Sequence, residues 1–325
     1  MKKKVLITGI TGQDGSFLTK YMLENNDIEI FGTSRNNNHK PFFKTLEYLK
    51  VDPSNLNRLK IFKIDFQNFD DVNSFIKNNK FDMVYNLMGP ASVYESLQYP
   101  LTNSKSIIVS FNNLVEALIQ NNSFPSFFQT SSSEMFDDNN GININEESYF
   151  NPKSPYATSK LFIHNMINFL RKKYDWTFVS GILFNHESEL RSDNYLIMKI
   201  INDAIEIKNK NKKKLVVGGV DIIRDWGFAG DHTLAMKLIM ENNLNGNYVI
   251  GTGEGNSIER MIEIVFDYFN LDFENNLDIN PELLRKNEPK IIIANPKKLM
   301  SDTGWKPSIN FQELVIRCIK FKIKN

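Results

Sequence analysis

The chain has 325 residues, 41% of them hydrophobic and 24% charged, as in a folded protein of one large domain or two unequal lobes. A net charge of +1 without any basic block gives no ground for nucleic-acid or membrane-surface binding. The lone cysteine, Cys318, excludes an internal disulfide framework and fits a reducing, cytoplasmic compartment.

The opening "MKKKVLITGITG" starts basic, but glycines break its apolar run early, so it reads as a first strand and not as a signal peptide. No stretch approaches the roughly 20 apolar residues of a membrane helix. In chain order, "KVLITG" is predicted as a strand, residues 13–25 as a helix, and "IEIFGTSR" and "RLKIFKIDF" as strands. "DMVYNLMG" and "PSFFQTSS" follow as strands, with helices near 68–78 and 101–121 between them. Residues 156–174 read as a long helix and "WTFVSGILFN" as a sixth strand. Strands separated by helices of this length imply βαβ units and a parallel sheet buried on both faces. The expected fold is therefore α/β, a Rossmann-like doubly wound parallel sheet over residues 1–185. Beyond it the pattern loosens into helices near 194–208, 230–241, 257–269 and 310–322, with one short strand, "KLVVGG". Residues 186–325 are expected to form mainly a smaller, mostly helical lobe that walls a cleft, with some segments returning to the main sheet.

"TGITGQDG" sets Gly9, Gly12 and Gly15 between the first strand and the first helix. Glycines there allow a tight turn and the close approach of a pyrophosphate, whose charge then lies at a helix N-terminus. The spacing is G-x-x-G-x-x-G, not the commoner G-x-G-x-x-G. At the end of the second strand "GTSRNNN" offers Ser34 and Arg35 but no carboxylate for a ribose hydroxyl. A guanidinium suits a 2′-phosphate, so NADP is favoured, with NAD as the alternative.

"SPYATSK" places Tyr156 and Lys160 on one helical face. A tyrosine with its ordinary pKa of about 10 is a poor base at neutral pH. A neighbouring ammonium and the charge of a cofactor would stabilise the phenolate. "TSSSEMFDD" adds Ser132 and Glu134 just after the fifth predicted strand.

The glycine turn, the serine loop and the Tyr–Lys pair together resemble the extended short-chain dehydrogenase/reductase superfamily. Within it, "LITGITGQDGSFL", "SSSEMF", "SPYATSK", "GILFNHES" and "RDWGFAGDH" resemble the GDP-mannose 4,6-dehydratase family, as do "GTGEGNSI" and "NPKKLMSDTGW" near the C-terminus. The resemblance covers nearly the whole chain. It implies that Ser132 polarises the sugar 4-hydroxyl and that Tyr156 removes its proton while C4 gives hydride to the nicotinamide. Lys160 would hold the nicotinamide ribose and tune Tyr156. Glu134 would take the C5 proton, made acidic by the C4 ketone, before water leaves C6 and the hydride returns there. The cofactor would stay tightly bound and be recycled in each turnover.

By the same resemblance, Thr11, Gln13 and Asp14 accompany the three glycines around the dinucleotide. Leu87, Met88, Gly89, Pro90 and Ala91 would run along it, Asp65 and Phe66 would flank the adenine, and His186 and Arg191 would lie against the cofactor and its loop. Ser92, Glu134, Asn185, Lys199 and Gly218 are the expected sugar-nucleotide contacts, with Arg224 on a substrate phosphate because an arginine fork suits a diphosphate. Trp226 reads as core. His186 lacks a second histidine at zinc-binding spacing, and no metal is expected. The implied partners are a GDP-sugar and further copies of the chain, as a dimer or tetramer.

Several positions depart from the family pattern: Asp137 replaces a glycine, Gly219 an asparagine, Pro90 a glutamine and Thr102 a tyrosine, and Arg35 stands alone where two arginines are common. Two other enzymatic readings use the same residues. One is a C4 dehydrogenase or epimerase in which Glu134 is structural; the other is a dehydratase of a different GDP-sugar, such as a heptose. A dinucleotide-binding regulator without turnover is disfavoured by the presence of Ser132, Glu134, Tyr156 and Lys160 together.

Overall fold

A computed structural model of the chain describes residues 2–137, 141–285 and 287–324. Its centre is a sheet of seven parallel strands: β1 (Lys3–Thr8), β2 (Ile28–Ser34), β3 (Leu59–Lys63), β4 (Met83–Asn86), β5 (Ser126–Ser132), β6 (Phe178–Leu183) and β10 (Gly246–Ile250). Their order is β10-β6-β5-β4-β1-β2-β3, so the direction of winding reverses between β1 and β4. At such a reversal the loops leaving the two strands diverge, and a crevice opens at their C-terminal ends.

On one face lie α3 (Phe69–Asn78), α4 (Val93–Gln98), α5 (Pro100–Gln120) and α6 (Pro155–Tyr174), packed around Phe111, Phe127, Trp176 and Phe178. On the other lie α1 (Gln13–Leu23) and α8 (Ala229–Glu241), whose Phe17 and neighbouring Phe228 meet edge to face at 5.2 Å. Local chemistry sets the helix ends. Asn68 caps α3 by accepting from the N–H groups of Asp70 and Asp71. Ser154 caps α6 ahead of Pro155, and that helix stops where Asp175 turns left-handed at φ 47°.

The remaining strands are β7 (Asn185–Glu187), β8 (Leu215–Val217), β9 (Ile223–Phe228), β11 (Gly255–Ser257), β12 (Leu277–Ile279) and β13 (Ile291–Ile292). β9 is the hub of a four-stranded sheet, pairing with β7, β11 and β13, and β8 pairs with β12. Around them stand α7 (Leu196–Lys208), α9 (Ile258–Phe269), the short α10 (Phe273–Asn276), α11 (Lys297–Thr303) and α12 (Phe311–Lys324), while α2 (Lys40–Tyr48) follows β2.

Two differences from the sequence reading concern this half of the chain. The main sheet has a seventh strand, β10, because the buried run Tyr248, Val249 and Ile250 lies parallel to β6 in register from Gly246↔Val179 to Ile250↔Leu183. The second region has the four expected helices but more strands than the single one expected. "IRDWGF" forms β9, a central strand whose polar Arg224 and Asp225 are buried with partners. Such residues mask the apolar run by which a strand is recognised. Trp226 is buried, its indole N–H donating to Asn256 O at 3.1 Å. Among the described residues no helix is long and apolar enough to cross a membrane.

Candidate active site

The C-terminal ends of β1, β4 and β5 are tied by a buried polar ladder. Thr8 Oγ1 donates to Asn86 Oδ1 at 2.6 Å, and Asn86 Nδ2 donates to Gln129 Oε1 at 2.7 Å. Gln129 Nε2 and Lys160 Nζ both donate to Thr130 O, each at 2.9 Å. Thr8 Oγ1 also accepts from the N–H groups of Leu87 and Met88, at 3.1 and 3.2 Å. Buried polar groups that satisfy one another in this way hold a single arrangement. The ladder therefore fixes the Leu87–Met88 turn and the Lys160 ammonium relative to the strand that leads into the glycine turn.

In that turn Gly9 is left-handed at φ +66°, and a Cβ on it would stand 3.1 Å from Leu87 O. Gly15 is tighter, for its Cβ would meet Ile10 O at 2.3 Å. Gly12 has only Gly9 O within reach, at 3.4 Å, and caps α1 with no side-chain acceptor for the first-turn N–H groups. Open space above uncapped helical N–H groups fits an anion such as a pyrophosphate. Thr11, Gly12, Gln13, Ser16, Glu189 and Arg191 line a cavity of about 240 Å³ beside this turn. A larger groove of about 730 Å³ runs along α2 past Phe43 and Leu56, away from every residue named as a site candidate.

Beneath the turn, His186 Nε2 sits 3.1 and 3.2 Å from the two oxygens of Asp14. Gln13 Nε2 donates to His186 O at 3.4 Å, and Ser188 Oγ donates to Gln13 Oε1 at 2.7 Å. Burial alone would raise the Asp14 carboxyl; His186 and Arg191 outweigh it and hold the pKa down at about 2. Burial disfavours the His186 imidazolium, but Asp14 raises its pKa above the ordinary value. Arg191 pairs with Glu187 at 3.0 Å and lies 3.5 Å over the Tyr195 ring.

Ser132 ends β5, and its hydroxyl accepts from Glu134 N at 3.2 Å. Tyr156, in the first turn of α6, lies near enough to the Ser132 side chain to feel it. Burial pushes the Tyr156 phenol well above its usual range; the nearby Ser132 hydroxyl pulls the other way, and Glu134 pushes it further up. Lys160 lies 5.7 Å from the Tyr156 ring centre, and burial lowers its pKa to about 8 against the pull of Asp14. Among the protein's own groups, burial is the largest influence on this phenol.

The structure gathers Ser132, Glu134, Tyr156 and Lys160, and separately joins the glycine turn to His186 and Arg191. Other candidates are engaged elsewhere. Arg224 is buried, its guanidinium bonded to Glu288, to Pro289 O at 2.7 Å and to Ile223 O at 2.9 Å. Lys199 Nζ donates to Val216 O at 2.7 Å, and Ser92 Oγ caps α4 on Glu95 N at 3.1 Å. The Phe66 ring is buried in the core, leaving exposed Asp65 beside it, and Arg35 is exposed just past β2. Asn185 is half-buried on β7 opposite Trp226. A Cβ on Gly218 would stand 2.8 Å from Leu284 N, so this glycine serves a close backbone approach.

Arg285 is the residue the sequence reading missed. Its Nη1 lies 3.5 Å from Glu134 Oε2, its other side pairs with Glu288, and Glu288 in turn pairs with Arg224. The spacing Arg285–Glu288 in "LLRKNEPK" is the only local hint, and it is common on surfaces. Among the described residues no group of three or more His, Cys, Asp or Glu side chains stands together as a metal site.

The family model described as GDP-mannose 4,6 dehydratase matches residues 6–318. The chain belongs to the GDP-mannose 4,6-dehydratase family. That makes it an enzyme of the hydro-lyase class. Within the family it is 33% identical over 323 residues to GDP-mannose 4,6 dehydratase 1 of Arabidopsis thaliana, covering 97% of this chain and 88% of that one. The fold is shared with a dTDP-glucose 4,6-dehydratase of Streptomyces venezuelae solved with NAD bound, at TM-score 0.84 and 17% identity, covering 99% of this chain and 97% of that one. It is shared too with RMD of Pseudomonas aeruginosa complexed with NADPH, at TM-score 0.79 and 19% identity, covering the whole (100%) of both chains.

Proposed function

We propose that this member of the GDP-mannose 4,6-dehydratase family converts GDP-mannose to GDP-4-keto-6-deoxymannose with a tightly held NADP. The observation that carries the reading is Glu134, a carboxylate two residues beyond Ser132 in the site that also holds Tyr156. Oxidation at C4 alone needs a hydroxyl donor, a tyrosine and a lysine; elimination needs an additional base for C5, next to a ketone.

The glycine turn, Arg35 and Lys160 would hold the dinucleotide, and His186 and Arg191 would brace the turn from below. Bound there, it supplies a reversible redox step that oxidises C4 and reduces C6 within one turnover. Ser132 orients the 4-hydroxyl, and Tyr156 takes its proton as C4 becomes a ketone. Glu134 takes the C5 proton and passes it to the departing C6 hydroxyl, which leaves as water. The proton held by Tyr156 then returns to C5. Protons balance, and no net oxidant is consumed.

Arg285, with Arg224 behind it, offers the substrate diphosphate a charged fork at the Glu134 end of the site. Preference for NADP over NAD rests on Arg35 and on the lack of an acid at the end of β2. A homo-oligomeric state is part of the same reading, supported by exposed Leu101 on α5 and Phe162 and Phe169 on α6. So is a cytoplasmic location, in keeping with the buried free thiol of Cys318.

The test is to incubate the purified protein with GDP-mannose and no added cofactor, follow loss of water by mass spectrometry, and identify the dinucleotide released on denaturation. Dehydration without reduced cofactor building up is the expected result. Oxidised sugar with stoichiometric NADPH would favour the C4 dehydrogenase instead.

A further inference from the structure

Asp137 stands where the family resemblance leads one to expect glycine, yet its backbone makes no such demand, since its φ is not positive. It is 1% exposed. Its carboxylate accepts from Asn151 Nδ2 at 2.5 Å and pairs with Lys153 Nζ at 3.5 Å. Two further contacts run alongside. Asn151 N donates to Met135 O at 2.8 Å, and the Phe136 ring stacks on Phe150 with centres 4.9 Å apart. Phe150 in turn meets the buried His164 of α6 edge to face at 4.9 Å.

These contacts join two short runs that frame the site. Residues 135–137 follow directly on Glu134. Residues 150–153 lead into Ser154, the cap of α6, and so to Tyr156 two residues later. α6 already packs on the end of β5, where Lys160 Nζ donates to Thr130 O at 2.9 Å, but some twenty residues of chain lie between Glu134 and Tyr156 and their two ends need a tie of their own. The buried Asp137 carboxylate, bonded to Asn151, supplies that tie. Buried and already partnered, it is not presented to the cleft as a sugar contact.

We propose that Asp137 is a positioning residue for elimination: by clamping 135–137 to 150–153 it holds Glu134 against C5 while Tyr156 is engaged at O4. This rests on the dehydratase reading above. In the step concerned, the C5–H bond breaks, Glu134 carries the proton to the C6 hydroxyl, the C6–O bond breaks, and water leaves.

The test compares Asp137→Ala, Asn151→Ala, their double variant and Asp137→Asn in the enzyme as isolated with its cofactor. Amide hydrogen exchange over 135–153 reads the clamp directly. With GDP-mannose, absorbance of the reduced cofactor reads C4 oxidation, and deuterium uptake at C5 from heavy water reads Glu134. Each Ala variant should exchange faster over both runs and lose roughly 100-fold in C5 exchange and kcat, the scale of a small misplacement. KM should stay within about threefold, and reduced cofactor should accumulate. The double variant should be no worse than Asp137→Ala alone, because that change already removes the bond to Asn151. Asp137→Asn, which can still accept from Asn151, should recover most of the rate.

Wild-type kcat in a folded Ala variant overturns the clamp. So does an equal loss of oxidation and C5 exchange, which would mark a merely structural role. If Asp137→Ala does not fold, Asn151→Ala decides on the same criteria. A wild-type protein that leaves GDP-mannose intact overturns the dehydratase reading, and the clamp with it, whereas a wild type that dehydrates beside an unaffected Ala variant overturns the clamp alone.

Discussion

Arg285 lies 3.5 Å from Glu134, although 151 positions separate them in the chain. The contact brings a cation from the loop before β13 onto the segment that ends β5. It therefore links the two sides of the cleft through the residue assigned to proton abstraction. Both side chains are partly exposed, so the pair is partly screened and contributes little to stability. Its interest lies in what an incoming diphosphate would do, since an anion with two negative charges competes with Glu134 for the same guanidinium.

Arg285→Gln should raise KM for GDP-mannose by about tenfold or more, the scale of one lost charge-assisted hydrogen bond, with a smaller fall in kcat. Arg285→Lys should fall between the two, because it keeps the charge and loses the fork. Steady-state kinetics measure both, and an unchanged KM in the Gln variant would remove Arg285 from the substrate site.

Glu134→Gln preserves shape and removes the base. Dehydration should drop by about 100-fold or more, while C4 oxidation continues and reduced cofactor becomes visible in absorbance. Full product formation by this variant would refute the assignment of Glu134.

The glycines of the first turn should separate fold from ligand. A Cβ at Gly15 meets the Ile10 carbonyl, with the oxygen at 2.3 Å and the carbon at 2.6 Å, and backbone yields little. Gly15→Ala should cost about 2 kcal/mol or more, seen as a lower denaturation midpoint. Gly12 has room for a methyl group in the protein alone. Gly12→Ala should keep its melting temperature and lose bound dinucleotide, measured after denaturation. Undiminished cofactor content in the Gly12 variant would show that no ligand approaches there.

Two buried histidines should shape acid stability. Burial, with Arg171 near by, lowers His164 to about 4, and burial, with His186 near by, lowers His232 to about 3. Each is neutral when folded and takes up a proton on unfolding near its ordinary pKa of 6.5. The stabilisation is therefore present above pH 6.5 and is lost as pH falls toward the folded values. For each histidine the stability slope in that window approaches 1.4 kcal/mol per pH unit, about one proton's worth. His164→Gln, whose amide can still reach Ser180, should flatten the slope between about pH 4 and 6.5 by roughly that amount. Urea titrations at several pH values would test it, and an unchanged slope would mean that His164 is protonated in the fold.

What was legible in the sequence was what lies close along the chain. Tyr156 and Lys160 share one helix face, Ser132 and Glu134 share one strand end, and the glycines share one turn. Periodicity also sufficed for the first six strands, each a short apolar run between helices. Contacts made by register were not legible. Thr8 and Asn86 meet because β1 and β4 pair side by side, across 78 positions. Arg224 looked like an open fork until the pairing of β9 with β13 brought Glu288 and Pro289 against it. Asp137 read only as a replacement of the family's glycine, and its bond to Asn151 joins residues that the sequence keeps 14 positions apart.

The seating of β10 against β6 bears on how the protein is made. A nascent chain has all the groups of the candidate catalytic quartet by residue 160, yet the strand that closes the sheet arrives only with 246–250. Until then β6, buried in the finished molecule, is an open edge of unpaired amides flanked by apolar side chains. Synthesis therefore passes through a stage in which the chemistry is encoded and the scaffold is still adhesive, a window for chaperones or for aggregation. A fragment cut near residue 185 would be held permanently in that stage.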